Sequence, residues 1–200
     1  MTEVTYKFKD LPEKAKQKAR EDYTSGDYPG YDWWDDTYED AVRMAEMLGI
    51  HIGKTKNHGH DIWFSGFWCQ GSGANFDADY CFAPKAIKRI TSECNDAELL
   101  RIAQELTLMQ LTQRLKGLEE FSGTVRTVHN SSCVSTDIRD WGTDEIGEPD
   151  EDQFDTLMQD FAGWIYKQLE AEHDYYHSDE YVDERLSESG DEFDEDGVVV

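Results

Sequence analysis

Apolar residues recur at the spacing of an α-helix in several segments of the chain. In residues 10–25, Leu11, Ala15 and Ala19 fall on one face, which predicts a helix. The longest such pattern covers residues 151–176, where a wide apolar stripe lies on one side and acidic residues on the other. The same spacing predicts further helices over residues 32–48, 84–90, 95–116 and 178–186.

Other segments follow the two-residue period of β-strands. In residues 74–82, four apolar side chains face one way and polar ones the other, which predicts a strand with one buried face. Residues 61–69 are apolar on both faces, which predicts a central strand, and the Gly-rich residues 70–73 suit the turn between the two. A second hairpin is predicted over residues 121–129 and 133–139, and a polar loop over residues 53–60. These hairpins beside periodic helices predict an α+β fold, in which helices pack mainly on one face of a small antiparallel sheet.

Charge is spread unevenly along the 200-residue chain, which carries 44 acids, 19 bases and a formal net charge of −25. Residues 137–200 hold 23 of the acids and three of the bases, so the last third is far more acidic than the rest. We therefore predict one α+β domain over residues 1–177, with the acidic helix 151–176 docked on it. Residues 178–200 are predicted to form an acidic helical extension and a flexible tail.

The charge and the lack of long apolar runs narrow the possible function classes. A strongly negative surface repels phosphate backbones and anionic membranes, and it attracts basic proteins. No apolar run approaches the roughly 20 residues that span a bilayer, and residues 1–4 do not begin a signal peptide. We therefore expect a cytoplasmic protein with reduced thiols, whose partner is a basic protein and neither a nucleic acid nor a membrane.

The candidate residues for a metal or catalytic site lack the spacing that such a site requires. Asp191, Asp194 and Asp196 resemble the start of a calcium-binding EF-hand loop, but no Glu closes the loop. Gly71 and Gly73 would suit a phosphate-binding loop only if a helix followed, and a strand is predicted there. The candidate ligands among the histidines and cysteines also lack the spacings typical of zinc sites. We therefore expect a protein without catalysis, bound cofactor or metal; the candidate residues for such roles are His58, His60, Cys69, Cys81, His129 and Cys133.

Motifs along nearly the whole chain resemble an acidic protein family found in phages and prophages. The most specific motif, Ser-Gly-Phe-x-x-Gln-Gly-x-Gly, covers residues 65–73. This chain departs from the usual pattern at Cys69 and Ser72 and in a longer loop over residues 53–60. Members are often described as the antitoxin of a toxin–antitoxin stability system. The other matching segments are residues 11–23, 32–34, 38–40, 62–68, 164–170, 178–180 and 192–193.

The resemblance implies a small phage accessory protein. Some accessory proteins of high negative charge are inhibitors that present carboxylates where a nucleic-acid-binding protein expects phosphates. We therefore hypothesise a non-catalytic, DNA-mimic-like inhibitor of a basic host defence nuclease, with an anti-CRISPR or anti-restriction role. The alternatives are an antitoxin that neutralises a cognate toxin, a small enzyme or metal protein of unknown reaction, and an acidic surface that only keeps the protein soluble.

Two sets of residues are candidates for the contact with that partner. A helix rises 1.5 Å per residue, so acids along it can approach the charge spacing of duplex DNA, about 1.7 Å per charge. Aromatic side chains are the alternative, because they often carry binding energy while charges set association rates. The acidic candidates are Asp152, Asp155, Glu170, Asp174, Asp179, Glu180, Asp183 and Glu184, and the aromatic candidates are Trp33, Trp63 and Trp68.

Overall fold

The computed structural model describes residues 4–25, 33–55, 59–67, 71–111, 124–127, 134–137 and 151–200. The chain divides into a terminal unit, made of Met1–Trp34 and Glu170–Val200, and a central unit, made of Asp35–Leu169. The described helices are a 3-10 turn (Phe8–Asp10), α1 (Glu13–Ser25), α2 (Asp35–Leu48), α3 (Ala86–Glu93), α4 (Ala97–Leu111), α5 (Glu151–Tyr176) and α6 (Asp179–Glu188). The described strands are β1 (Ile50–Ile52), β2 (Lys54–Thr55), β3 (Gly59–His60), β4 (Ile62–Phe64), β5 (Ala74–Tyr80), β6 (Thr124–Thr127) and β7 (Val134–Asp137).

A five-stranded antiparallel sheet centred on β5 forms the β-layer of the central unit. On one edge of β5, β1 pairs Ile50 with Tyr80 and β4 pairs Ile62 with Phe76. On the other edge, β6 pairs with β5, and β7 pairs with β6. The two hairpins expected from the sequence therefore share one sheet, and the predicted α+β class is confirmed.

A short hairpin interrupts the sheet edge between β1 and β4. The Gly53 amide donates to the Asp77 carbonyl at 3.0 Å, and the Asp77 amide donates to the Asp61 carbonyl at 3.0 Å. The Asp61 amide donates back to the Gly53 carbonyl at 2.9 Å, which closes the base of the excursion. Residues 53–60, expected as a polar loop, therefore contain the two short strands β2 and β3.

Helix α5 buries its apolar stripe in the central unit, as its periodicity predicts. The Phe161 ring lies 5.5 Å from that of Phe76, and the Phe154 ring lies 5.1 Å from that of Tyr80, both edge-on. These contacts place the stripe against β5, because Phe76 and Tyr80 both belong to that strand. The buried side chains of the stripe are Phe154, Leu157, Met158, Phe161, Trp164, Ile165 and Leu169.

Charged and polar contacts attach α4 to α5 within the central unit. Asp96 caps α4, since its Oδ1 accepts hydrogen bonds from two amides of the first turn, each at 2.9 Å. Its Oδ2 accepts a hydrogen bond from the Trp164 indole of α5 at 3.2 Å. Exposed ion pairs from Lys167 to Glu98 and from Arg101 to Asp160 also join the two helices. Among the described helices, none has the length and apolarity needed to cross a bilayer.

The terminal unit has a small apolar core of its own, and Phe193 is at its centre. Phe193 is fully buried, and its ring packs edge-on against Phe8 at 6.0 Å. Its backbone exchanges hydrogen bonds with Tyr6 at 2.8 and 2.9 Å and also bridges to Val199. The chain therefore packs its acidic tail against its N-terminal segment, whereas the sequence predicts a flexible tail. The core consists of Phe8, Leu11, Ala15, Ala19, Val182, Leu186 and Phe193.

The structure differs from the sequence-based expectations at several local features. Strand β4 ends at Phe64 and pairs with β5, and β5 also pairs with β1 and β6, so the central strand is β5 and not β4. Strand β1 was not expected, because its three residues are too few to show alternation. Helix α4 begins at Ala97, after the capping residue Asp96, and not at residue 95. The predicted division into residues 1–177 and 178–200 stays a prediction.

Candidate partner-binding surface

Helix α6 presents acidic side chains to solvent from its first turn onward. Ser178 begins the helix, because its hydroxyl accepts a hydrogen bond from the Tyr181 amide at 3.3 Å. Asp179 and Glu180 in the first turn are exposed and are stabilised there by the positive end of the helix dipole. Glu184, one turn later, is also exposed. The carboxylates of α6 are therefore held on regular backbone at fixed spacing.

Asp183 differs from the other acids of α6, because it is paired within the terminal unit. Arg20 of α1 donates to both of its carboxylate oxygens, from Nε at 2.6 Å and from Nη2 at 2.8 Å. Nη1 of Arg20 reaches Glu13 at 2.9 Å. These hydrogen bonds, the one to Asp183 first, raise the pKa of Arg20. Asp183 therefore attaches α1 to α6, and we leave it out of the proposed contact surface.

The acidic candidates on α5 belong to both units and differ in exposure. Asp155 lies in the central unit and Glu170 in the terminal unit, and both side chains are half-buried. Asp174, in the terminal unit, is about 60% exposed and lies 3.7 Å from Nδ1 of His173. Asp152 lies on α5 in the central unit, and its side chain lies outside the described part. The exposed candidates within one unit are therefore Asp174, Asp179, Glu180 and Glu184.

The three tryptophan candidates lie in different environments. Trp33 is half-buried, and its ring packs on Trp34 at 5.6 Å and on His173 at 5.8 Å. Trp63 on β4 is 41% exposed. Trp68 lies outside the described residues. Of the three, only Trp63 is shown with an exposed side chain, and it belongs to the central unit.

An aromatic cluster, which sequence reasoning missed, joins the end of α5 to the start of α6. The Tyr181 ring lies 5.1 Å from Tyr175 and 4.9 Å from Tyr176. Trp33 extends the cluster, with its ring 6.3 Å from Tyr176. Tyr181 is buried, whereas Tyr175 is 52% exposed. The available signal was the pair Tyr175–Tyr176 just before the Ser178 cap, but the sequence does not show which ring is exposed.

Two histidines stack at the end of α5. The rings of His173 and His177 are 4.0 Å apart and nearly parallel, and Nδ1 of His177 is 2.8 Å from the His173 carbonyl oxygen. Burial and, secondarily, the neighbouring His177 lower the pKa of His173, against a smaller opposing effect of Asp174. His173 is therefore held in its neutral form to lower pH than an exposed histidine.

Two carboxylates of the tail, those of Glu192 and Asp194, accept hydrogen bonds within the terminal unit. Oδ1 of Asp194 accepts from the amides of Asp196 and Val198 at 3.0 and 2.9 Å, which forms a tight turn. Glu192 accepts from the Thr5 hydroxyl at 2.8 Å, and this bond and the charge of Lys7 lower the pKa of Glu192. The residues that resemble an EF-hand start thus build a turn, and no group of three or more potential ligands is positioned for a metal within the described ranges.

Few of the residues weighed for chemistry fall in the described part of the chain. Cys81 is an exposed free thiol on the segment after β5. His60 is half-buried on β3. Gly71 has a positive φ of 93° and accepts a hydrogen bond from the Ser65 hydroxyl, so it shapes the turn into β5. His58, Cys69, His129 and Cys133 lie outside the described residues, and the expectation of a non-enzyme without cofactor stays a prediction.

Comparison with known proteins places the chain in a family without assigning an activity. No curated protein and no solved structure matches it significantly. A family model described as a domain of unknown function, DUF8835, matches residues 33–179. The match includes the whole central unit, and most of the terminal unit lies outside it. Since it covers well over half of the sequence, the chain belongs to the DUF8835 family.

Proposed function

We propose that this protein binds and neutralises a basic, nucleic-acid-handling protein by presenting carboxylates in place of phosphates. The observation that carries the proposal is the composition of residues 170–200, which hold 13 acids and a single base, Arg185. Exposed members of this set are held on the helical ends and turns of the terminal unit. The sequence resemblance favours a phage-encoded inhibitor of a host defence nuclease that acts in the bacterial cytoplasm.

A folded backbone favours this role over that of a loose acidic tail. A disordered segment loses conformational entropy when it binds, and this loss weakens the affinity. Here Ser178 begins α6 with a side-chain cap, and the buried Phe193 holds the tail on the core of the unit. Asp174, Glu180 and Glu184 are therefore presented to a partner with little further ordering.

The geometry of a helix also suits charge mimicry. Asp179 and Asp183, and likewise Glu180 and Glu184, are four residues apart, so each pair lies about 6 Å apart along the helix axis. Because Asp183 pairs with Arg20, the row formed by Glu180 and Glu184 is the one in which both carboxylates are exposed. A basic groove that binds phosphates would attract this row over a long range.

The proposal is tested by charge reversal at matched positions. The variant Asp174→Lys, Glu180→Lys, Glu184→Lys changes three exposed acids of the terminal unit. Its control, Glu39→Lys, Glu46→Lys, Glu93→Lys, makes the same change in net charge at exposed acids of the central unit. The partner is first captured from bacterial cells and identified by mass spectrometry, and its association rate with each variant is then measured.

We expect the terminal-unit variant to associate with the partner at least tenfold more slowly at physiological salt, because steering by complementary charge accounts for such factors. We expect the central-unit control to associate nearly as fast as the wild type. DNA and the protein should also exclude each other from the partner. Simultaneous binding of DNA, or equal loss in both variants, contradicts the proposal, and capture of a small toxin supports the antitoxin alternative.

A further inference from the structure

We infer that Tyr175 anchors an arginine side chain of the basic partner, at the point where α5 gives way to α6. The inference rests on the proposed function. It adds a contact that contributes binding energy, beyond the long-range attraction between the acidic residues and a basic partner. Charged rims mainly set association rates, whereas aromatic residues at the centre of a contact carry most of the binding energy. Among the described residues of the acidic terminal unit, Tyr175 is the large aromatic side chain that is both exposed and packed against other rings.

The support comes from the aromatic cluster beneath Tyr175. Its ring lies 5.1 Å from the buried Tyr181 and 5.7 Å from Tyr176, at tilted angles of 59° and 55°. Tyr176 in turn packs edge-on against Tyr181 at 4.9 Å. These two neighbouring rings restrict the Tyr175 side chain, yet 52% of it remains exposed. A side chain that is already ordered loses little entropy on binding, so its exposed face is suited to a partner.

The charges around Tyr175 determine which chemical group fits. Asp174 precedes it in the sequence and is about 60% exposed. Asp179 and Glu180, both exposed, form the turn that leads into Tyr181. The one base in residues 170–200, Arg185, has its Nη1 3.8 Å from Glu188. An anionic ligand such as a nucleotide is repelled by these acids, and a cation is attracted.

Arginine fits this combination better than lysine. A guanidinium is planar, so it can stack on a tyrosine ring while its N–H groups donate to a carboxylate at the side. An ammonium group is a compact, strongly hydrated charge and gains less from an aromatic face. Tyr175 provides the aromatic face. The carboxylates come from Asp174, its neighbour in the sequence, and from Glu180 in the adjoining helix α6. The occupant is therefore an arginine in a basic segment of the partner protein.

The test uses nona-arginine and nona-lysine peptides as probes at about 0.15 M salt, where charges beyond about 8 Å are screened. Tyr175→Ala should weaken nona-arginine binding about fivefold, the size of an exposed cation–π contact. Tyr175→Phe keeps the aromatic face and should bind within about twofold of the wild type. Tyr175→Leu keeps apolar surface without the π-face and should behave like Tyr175→Ala. Nona-lysine should bind more weakly than nona-arginine and respond less to these changes.

Trp63→Ala is the matched control, because Trp63 is a similarly exposed aromatic side chain in the central unit. It should leave nona-arginine binding unchanged. If Tyr175→Ala and Tyr175→Leu bind nona-arginine as tightly as the wild type, or if Trp63→Ala loses as much, Tyr175 is not the anchor. If the charge reversal of Asp174, Glu180 and Glu184 still abolishes binding in that case, only this inference fails. If that reversal leaves binding intact, the proposed function fails instead.

Discussion

The terminal and central units carry nearly the same net charge on very different lengths of chain. The terminal unit has 20 acids and 7 bases in 65 residues, and the central unit has 24 acids and 12 bases in 135 residues. Each unit nevertheless contains fully buried phenylalanine, Phe193 in one and Phe161 in the other. High acid density is therefore compatible with a packed core, provided that apolar residues from distant parts of the chain can meet.

The family match separates the two units further. It includes the whole central unit, while α1, nearly all of α6 and the tail lie outside it. The part of the chain that defines the family is thus not the part with the densest charge. We therefore expect the central unit and the acidic terminal unit to respond differently to mutation. We make four predictions, ordered from the largest expected effect to the smallest.

The largest effect is expected from removing the buried ring of the tail. Phe193→Ala should lower the free energy of unfolding by about 3–5 kcal/mol, because it deletes a fully buried aromatic side chain. Hydrogen exchange should then accelerate at amides of the terminal unit, while those of β5 stay protected. Val199→Ala, at an exposed neighbour, is the control and should have little effect. A wild-type unfolding curve for Phe193→Ala would show that the tail is loose, as its composition predicts.

The next effect is expected at glycines that approach other backbone. Gly197 has a φ of 90°, and a Cβ there would overlap with the Ala15 carbonyl oxygen; Gly49 in the central unit, with a φ of 86°, would overlap with that of Cys81. Alanine at either position should cost about 3 kcal/mol, from the unfavourable φ and the overlap together.

Gly190→Ala is the control for these glycines, because its φ is 78° with open space around it. It should cost only about 1 kcal/mol, from φ alone. The measurement is chemical denaturation of the three variants. Equal costs at Gly190 and Gly197 would mean that the close approach of the tail to α1 does not contribute to stability.

A smaller effect is expected from the ion pair that joins α1 to α6. Arg20→Met removes a side chain that is 12% exposed and leaves Asp183 without its two donors, so it should cost about 1–2 kcal/mol. Lys167→Met breaks a comparable pair with Glu98 in the central unit, but Lys167 is 61% exposed. That change should stay within about 0.5 kcal/mol. A double-mutant cycle of Arg20→Met with Asp183→Asn isolates the pair, and a coupling energy near zero contradicts this view.

The smallest effect is expected in the pH dependence of the terminal unit. Because the pKa of His173 is lowered in the folded state, the unfolded state binds more protons below the ordinary histidine pKa of about 6.5. The contribution of His173 to stability is therefore complete above that pH and is lost as the pH falls. Comparing thermal melts at pH 7.5 and 5.5, we expect His173→Gln to lose this component of the difference.

His177→Gln is the partial version of the same test. It removes the second cause of the lowered pKa and leaves burial, which is the first, so the pH dependence should shrink without disappearing. An unchanged pH dependence in His173→Gln would show that the carboxylates alone account for the acid response.

Sequence reasoning located the helices and the hairpins well, but it could not show which acidic side chains are exposed and which are paired. The expected helix over residues 151–176 has these bounds in the structure, because a 3.6-residue apolar period over many turns is a strong local signal. The strand expected over residues 61–69 ends at Phe64 in the structure. A run of apolar and aromatic residues does not show at which residue the pairing with the next strand ends. Of the eight acidic candidates, the sequence could not tell that Asp183 is paired with Arg20 or that Asp155 is half-buried.

The sequence by itself determined the α+β class, the amphipathic helices and the accumulation of acidic residues in the last third of the chain. These properties depend on residue type and on spacing between near neighbours, both of which are visible in the printed chain. Only the tertiary structure decided that Phe193 is buried beside Phe8, that Arg20 forms an ion pair with Asp183, and that Tyr175 is the exposed ring of its cluster. Arg20 and Asp183 are 163 positions apart, and no local pattern encodes a contact at that distance. Burial and exposure are set by which surfaces meet when the chain folds, so the difference between a charge that holds the fold and a charge free to bind appears only there.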